Sequence, residues 1–374
     1  MERKRRIFIN ASTVLLGGGV SVAINIINSL NNDFYNIETL VVVPDTNEYQ
    51  SLFKGLENII YIPLKKLKRH NRPYTDFVLI NRLINNFNPH IVFSLGNLPT
   101  PTKCYQINLF DNPFTSAKSL NNLHLTYKEK LIHQLRNIAF LRRVKYVDKF
   151  VVQTHIQQEL LLQKIKCKKD IEVLPNASIS VSKTEEIDFT PDKSIKYLLA
   201  FSYYYPHKNL EKLIDVARLF KQQNKNYSII LTITNNQDKR AKKMLECIDR
   251  ENLSEYIFSI GKVNASQIAD LYSKIDAMIL PTLMESFSST YSDSMKYEKP
   301  IFTSDRDFAH EVCGESANYF DPHNAQSIYN CIELYYSLDV SSREAKVEAG
   351  KNRVANFLSW SDNLKKILKE NYNG

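Results

Sequence analysis

Short apolar runs recur along the chain, each bounded by polar or turn-forming residues, and between them apolar positions repeat with a helical period. Ile7–Ala11, Thr39–Val43, Ile59–Ile62, Ile91–Leu95, Cys104–Leu109, Lys149–Gln153 and Glu172–Leu174 read as strands of a first half. Tyr197–Phe201, Ser228–Thr232, Ile257–Ile260, Ala277–Leu280, Pro300–Thr303 and Ala317–Phe320 read as strands of a second. After a loop at Leu15-Leu16-Gly17-Gly18-Gly19, the residues Ala23, Ile24, Ile27 and Leu30 predict a helix from Val20. Trp360, Leu364, Ile367 and Leu368 predict a last one, over about 357–374. Strands alternating with helices mean βαβ units and parallel sheets, so the expected class is α/β. The polar, aperiodic stretch 177–194 separates the halves, giving domains at 1–180 and 181–356.

The length of 374 residues suits two domains, and 43% apolar with 24% charged residues is the composition of a soluble globular chain. No apolar run reaches the 18 residues of a membrane span. The basic start, Met1 to Arg6, leads into Ile7–Ala11, too short for the apolar part of a signal peptide. Five scattered cysteines without a C-x-x-C pair point to a reducing cytoplasm and away from a disulfide or zinc framework. The net charge of +9 is uneven: residues 1–180 hold 24 Lys and Arg against 13 Asp and Glu, the rest 25 against 27. The first half therefore faces something anionic. Its basic clusters are Lys65–Arg72 and Lys128–Lys149. In the second, Leu131, Leu135, Ile138 and Leu141 fall at helical spacing among basic residues. That is either a helix lying on an anionic membrane or a solvated helix packing its stripe on the domain.

Candidate chemistry concentrates between two strand-like runs, where Glu285 is followed by Ser286-Phe287-Ser288 and then by Asp293. A strand–turn–helix unit leaves free N–H groups in the turn, a place for an anion such as a pyrophosphate. Pro281, Thr282, Glu285, Ser286, Phe287, Ser288, Asp293, Ser294 and Met295 resemble the E-x₇-E signature of retaining GT-B glycosyltransferases, the large family 4 type that adds sugars to lipids and polysaccharides. Two departures stand out: both turn glycines of the family are serine here, and the second acid is Asp293. Serine at a position needing positive φ would be strained.

Other segments extend the resemblance. Lys208-Asn209-Leu210, between a strand and a helix, resembles the family's donor-phosphate loop, though Tyr203 stands where the family has an arginine. An ammonium at a helix start suits a pyrophosphate; an unrelated solvated lysine is the other reading. Gly17-Gly18-Gly19 resembles the family's Gly-Gly turn beneath donor phosphate and acceptor, or is simply a tight turn. It is not G-x-G-x-x-G, which argues against a dinucleotide site. Asp111, before Asn112-Pro113, occupies the nearest match to a histidine at a strand end. It accepts the acceptor's proton, hydrogen-bonds the donor sugar, or makes an Asx-type turn. Glu311-Val312 and Gly314 fit the family's ending.

The resemblance implies two Rossmann-like domains facing across a cleft, with the final helix crossing back to the first. It implies sugar transfer with retention from a UDP- or GDP-sugar to a saccharide acceptor, with no metal and no cofactor, as in O-antigen and other surface polysaccharide assembly. Lys208, Asn209, Ser286, Phe287, Ser288, Asp293, Gly18 and Gly19 would bind the donor, with Glu285 and Asp111 at the chemistry. The basic first half is consistent with an acceptor on an anionic lipid carrier and with peripheral contact at the inner face of the plasma membrane. Alternatives are a sugar-nucleotide epimerase or phosphorylase of the same architecture, or a non-catalytic basic binder. Nucleic acid is not an expected partner, because the basic residues form no recognisable binding motif.

Overall fold

The computed structural model describes residues 5–15, 17–34, 36–56, 58–65, 71–96, 98–117, 120, 123, 125–176 and 184–369. Most of the Lys65–Arg72 cluster, residues 1–4, Leu16 and 177–183 of the expected boundary lie outside them. The chain divides into two compact units, one of Met1–Leu120, Thr126–Ala177 and Leu358–Gly374, the other of Asn121–Leu125 and Ser178–Phe357.

Among the described residues the first unit holds seven strands: β1 (Arg5–Asn10), β2 (Ile37–Pro44), β3 (Ile59–Leu64), β4 (Ile91–Leu95), β5 (Gln106–Leu109), β6 (Lys149–Val152) and β7 (Asp170–Val173). They pair in parallel in the order β3-β2-β1-β4-β5-β6-β7. Successive strand residues point to opposite faces. Thus Ile7 and Ile9 join one core, which includes Ala23, Ile27 and Leu30 of the Gly18–Asp33 helix. Phe8 joins the opposite core with Ile80 and Ile84. Trp360, Leu364, Ile367 and Leu368 of the Trp360–Lys369 helix lie in the same cluster as the Gly18–Asp33 helix. The last helix thus belongs to the first unit.

The second unit holds β8 (Lys196–Ala200), β9 (Tyr227–Leu231), β10 (Ile257–Ser259), β11 (Ala277–Leu280), β12 (Ile301–Ser304) and β13 (Ala317–Phe320). All pair in parallel, in the order β10-β9-β8-β11-β12-β13. Leu198, Ala200, Ile279 and Phe302 face one core; Met278, Leu280 and Ile301 face another with Tyr291 and Met295 of the Ser289–Lys296 helix. That helix is pressed against Gly350, where an added Cβ would lie 3.2 Å from Met295 Cγ. The absence of a side chain at Gly350 sets how closely the two elements approach. Among the described residues no helix is long and apolar enough to cross a membrane.

Candidate active site

In the second sheet the strand order reverses between β8 and β11. Loops leaving the carboxyl ends of two such strands diverge and open a crevice, the usual ligand site of a parallel sheet. Those loops carry Lys208 and Glu285, and the structure brings the two together. Lys208 Nζ donates to Glu285 Oε1 at 2.5 Å, with the side chains 12% and 8% exposed. The Thr282 hydroxyl lies 2.9 Å from the same oxygen and 3.1 Å from the His207 carbonyl. The Leu283 N–H also donates to that carbonyl, at 2.7 Å, so the two loops are stitched through the backbone. Thr282, fully buried, stood in the sequence as one residue of the Pro281–Met295 pattern, and its hydroxyl contact with Glu285 is what the sequence did not reveal.

Lys208 ends a single 3₁₀ turn, Pro206–Lys208, closed by Asn209 in the left-handed region at φ 54°. The Asn209 amide donates to the Pro322 carbonyl at 2.8 Å, so its side chain ties this loop to the segment after β13. Tyr203 packs on Tyr205, and Tyr205 on His207, with ring centroids 5.1 and 5.4 Å apart. An aromatic run thus leads into Lys208. A second cation, Arg240, sits 5.9 Å over the Tyr204 ring and is held by Asp238 at 3.0 Å.

After Glu285, Phe287 buries its ring in the core, leaving its main chain in the turn. Ser288 adopts φ 62°, the conformation for which glycine is suited, and precedes a helix without a side-chain cap. Ser288→Gly should therefore stabilise the fold by about 1 kcal/mol. Denaturant titration checks this, and an unchanged or lowered midpoint would contradict it. The Thr290 hydroxyl donates to the Phe201 carbonyl at 3.1 Å, tying the first turn of that helix to the end of β8. Asp293, further along, is only 3% exposed, and among the described residues no group donates a hydrogen bond to its carboxylate. Burial pushes its pKa up to about 7, with Lys296 pulling weakly the other way. Among the described residues no group of three or more His, Cys, Asp or Glu could hold a metal ion.

In the first unit the order reverses between β1 and β4. The expected loop over Leu15–Gly19 is shorter than the sequence suggests: Gly17, at φ 69°, is the N-cap, and Gly18 and Gly19 already form the first helical turn. Both are poor helix formers, but a first turn needs few intrahelical bonds. A Cβ on Gly19 would lie 3.8 Å from Asp111 Oδ2, so the glycine turn and Asp111 are neighbours. The Asx turn before Pro113 is made by Asn112, whose Oδ1 accepts from the Phe114 N–H at 3.0 Å. Asp111 is thus left for another role. Burial raises its pKa to about 6, against the pull of its own backbone N–H.

Residues 182–353 match the family described as glycosyl transferases group 1. The O-antigen chain mannosyltransferase RfbU of Salmonella typhimurium is 23% identical over 219 residues, 54% of this chain. The match spans 61% of that relative's length. A glycosyltransferase from Rickettsia africae superposes with a TM-score of 0.72 at 17% identity, covering 99% of this chain and all of that one. Anabaena Alr3699/HepE, in complex with UDP and glucose, gives 0.71 at 13% identity, covering 98% and 99%. WaaG, described as a glycosyltransferase of lipopolysaccharide biosynthesis, gives 0.69 at 12% identity, covering 97% and 99%. Together with the two parallel sheets, these likenesses show that the chain has the GT-B fold and that residues 182–353 are a glycosyl transferases group 1 domain.

Proposed function

We propose that the chain is a retaining glycosyltransferase that moves a sugar from a UDP- or GDP-sugar to a saccharide acceptor on an anionic lipid carrier. The observation that carries this reading is the meeting of Lys208 and Glu285 where the second sheet reverses. The ammonium, with the Phe287 and Ser288 N–H groups at an uncapped helix start, offers positive charge for a diphosphate. As the bond from the anomeric carbon to the phosphate oxygen breaks, that charge stabilises the departing nucleotide without a metal ion. Lys208 passing to the phosphate releases Glu285 to accept hydrogen bonds from donor-sugar hydroxyls. Asp293, a buried carboxylate lacking a donor among the described residues, takes the ribose diol. The acceptor oxygen bonds to the anomeric carbon, and its proton is assigned to Asp111, whose raised pKa suits proton transfer near neutrality.

Related proteins support the reading: RfbU is a mannosyltransferase of O-antigen chains, and the HepE structures hold UDP, glucose and UDP-glucose. We place the reaction in the cytoplasm, with the protein peripheral at the inner face of the plasma membrane. A thermal-shift panel of UDP, GDP, ADP and CMP, with and without magnesium, tests it. One nucleotide at a hundred times its Kd should stabilise the protein by about 2.7 kcal/mol, with or without metal. Lys208→Ala should abolish the shift. No shift with any of the four overturns the proposal.

A further inference from the structure

The amino ends of β8, β9 and β10 frame a cavity of about 410 Å³ within the second unit. Small-molecule sites run from about 300 to 1,000 Å³, so the size suits a ligand. The cavity lies at the opposite end of the sheet from the loops that carry Lys208 and Glu285. β8 has five residues, so about 17 Å of strand separates the two places. A single sugar in the crevice cannot reach this cavity.

Strand register sets its chemistry. Tyr197 of β8 pairs with Ser228 of β9, and Phe258 of β10 pairs with Ile230, two residues further along β9. Residues two apart share a face of the sheet. The Tyr197 and Phe258 rings, 6.4 Å apart between centroids, therefore stand on the same face as Ser228. Ser228 is 1% exposed, and its hydroxyl has no hydrogen-bond partner among the described residues. Leaving a buried hydroxyl unpaired is costly and uncommon in a native fold. Tyr256 adds a third ring to the lining, and Asn226 and Glu255 add exposed side chains. Among the described residues neither of those two side chains is engaged by a hydrogen bond or ion pair. The lining lysine, Lys225, is already paired with Glu333.

These features select a class of ligand. An anion would meet the Glu255 carboxylate while the Lys225 ammonium is committed elsewhere. A wholly apolar molecule would leave the Ser228 hydroxyl, the Asn226 amide and the Glu255 carboxylate unanswered. A sugar ring meets both demands. Its C–H face packs on an aromatic ring, while its hydroxyls donate to a carboxylate and accept from an amide. We propose that this cavity is a second saccharide-binding site, which takes part of a neutral hexose chain. Reading that chain as the enzyme's own acceptor or product rests on the function proposed above; the binding does not. Bound there, a growing chain stays with the enzyme between transfers.

Calorimetric titration of the full chain with mannotriose, maltotriose and chitotriose tests this. At least one should bind with a Kd of about 1 mM or tighter, equally in wild type and Lys208→Ala. Trigalacturonic acid, an anionic control, should bind at least about tenfold more weakly. Asn226→Ala/Glu255→Ala should weaken trisaccharide binding by about tenfold or more. Both side chains are exposed, so its melting temperature and its response to nucleotides should match wild type. Ser228→Ala should weaken binding by about tenfold while raising the denaturant midpoint, because it removes a hydroxyl that the free protein leaves unpaired. A serine that served only the fold would not move the two readouts in opposite directions. No binding of any trisaccharide, full binding by either variant, tighter binding of the anionic control, or binding abolished by Lys208→Ala overturns the proposal. If no nucleotide stabilises the protein while the trisaccharide still binds here, the transferase reading falls and this site stands.

Discussion

Lys208→Ala should lower kcat/KM for the sugar-nucleotide donor by about 10²–10³, the usual effect of deleting one charge-stabilising group from a site. The loss follows from position as well as charge. Lys208 and Glu285 are each about nine-tenths buried, so removing the ammonium leaves a carboxylate with the Thr282 hydroxyl as its remaining partner among the described residues. Leaving a buried charged group short of a partner costs about 1–3 kcal/mol, so the variant should also melt earlier. The two effects separate in the double variant Lys208→Ala/Glu285→Gln. Its amide no longer needs a counter-charge, so stability should return while activity stays low. Lys208→Arg should rescue incompletely, because the planar guanidinium cannot occupy the space of a compact ammonium. Steady-state kinetics beside melting curves decide the matter. A Lys208→Ala enzyme within threefold of wild type would refute the assigned role.

The second large effect concerns pH and Asp293. Its carboxyl moves from an ordinary 3.8 when unfolded to about 7 when folded, because burial penalises the charged form. Between those values the folded state binds more protons than the unfolded, so this group makes stability fall as pH rises from about 4 to 7 and level off above. The move from 3.8 to about 7 corresponds to at most about 4 kcal/mol. Asp293→Asn should therefore stabilise the free protein above pH 7 and leave it unchanged near pH 4. Asp111 acts in the same direction up to about pH 6, so Asp111→Asn is the necessary companion. Nucleotide binding should run oppositely. Ribose hydroxyls donate to the ionised carboxylate, so affinity should climb about tenfold per pH unit below 7 in wild type and stay flat in Asp293→Asn. Denaturant midpoints and nucleotide titrations at pH 5, 6, 7 and 8 measure both. An unaltered pH slope in the variant would remove Asp293 from the site.

The framework was legible because strands buried on both faces read as uninterrupted apolar runs. Ile91–Leu95, Ala277–Leu280 and Ala317–Phe320 begin and end where the apolar pattern does, and the other strands shift by one or two residues. Glu285 and Lys208 were visible as types in a pattern, but their direct contact was not, since 77 residues separate them. Nor does periodicity say which side of a helix meets solvent. Leu131, Leu135, Ile138 and Leu141 repeat as a core stripe would, and only the placement of Phe140 and Arg143 shows that they face outward. The helix start at Gly18 escaped for a local reason. Consecutive glycines carry the signal of a turn, whereas here tertiary contacts on Ala23 and Ile27 hold the helix that follows.

The Trp360–Lys369 helix has a consequence for the order of synthesis. Domains usually fold as they emerge, the N-terminal one first. Here the core that holds Ile7, Val41 and Ile91 also holds Trp360, Leu364, Ile367 and Leu368. A ribosome that has released everything through Phe357 has delivered all of the second unit and an unfinished first one. The unit made first is completed last. Until then the open side of the Gly18–Asp33 helix is exposed apolar surface, the kind that chaperones retain, and a fragment stopping at Ala177 would keep it permanently.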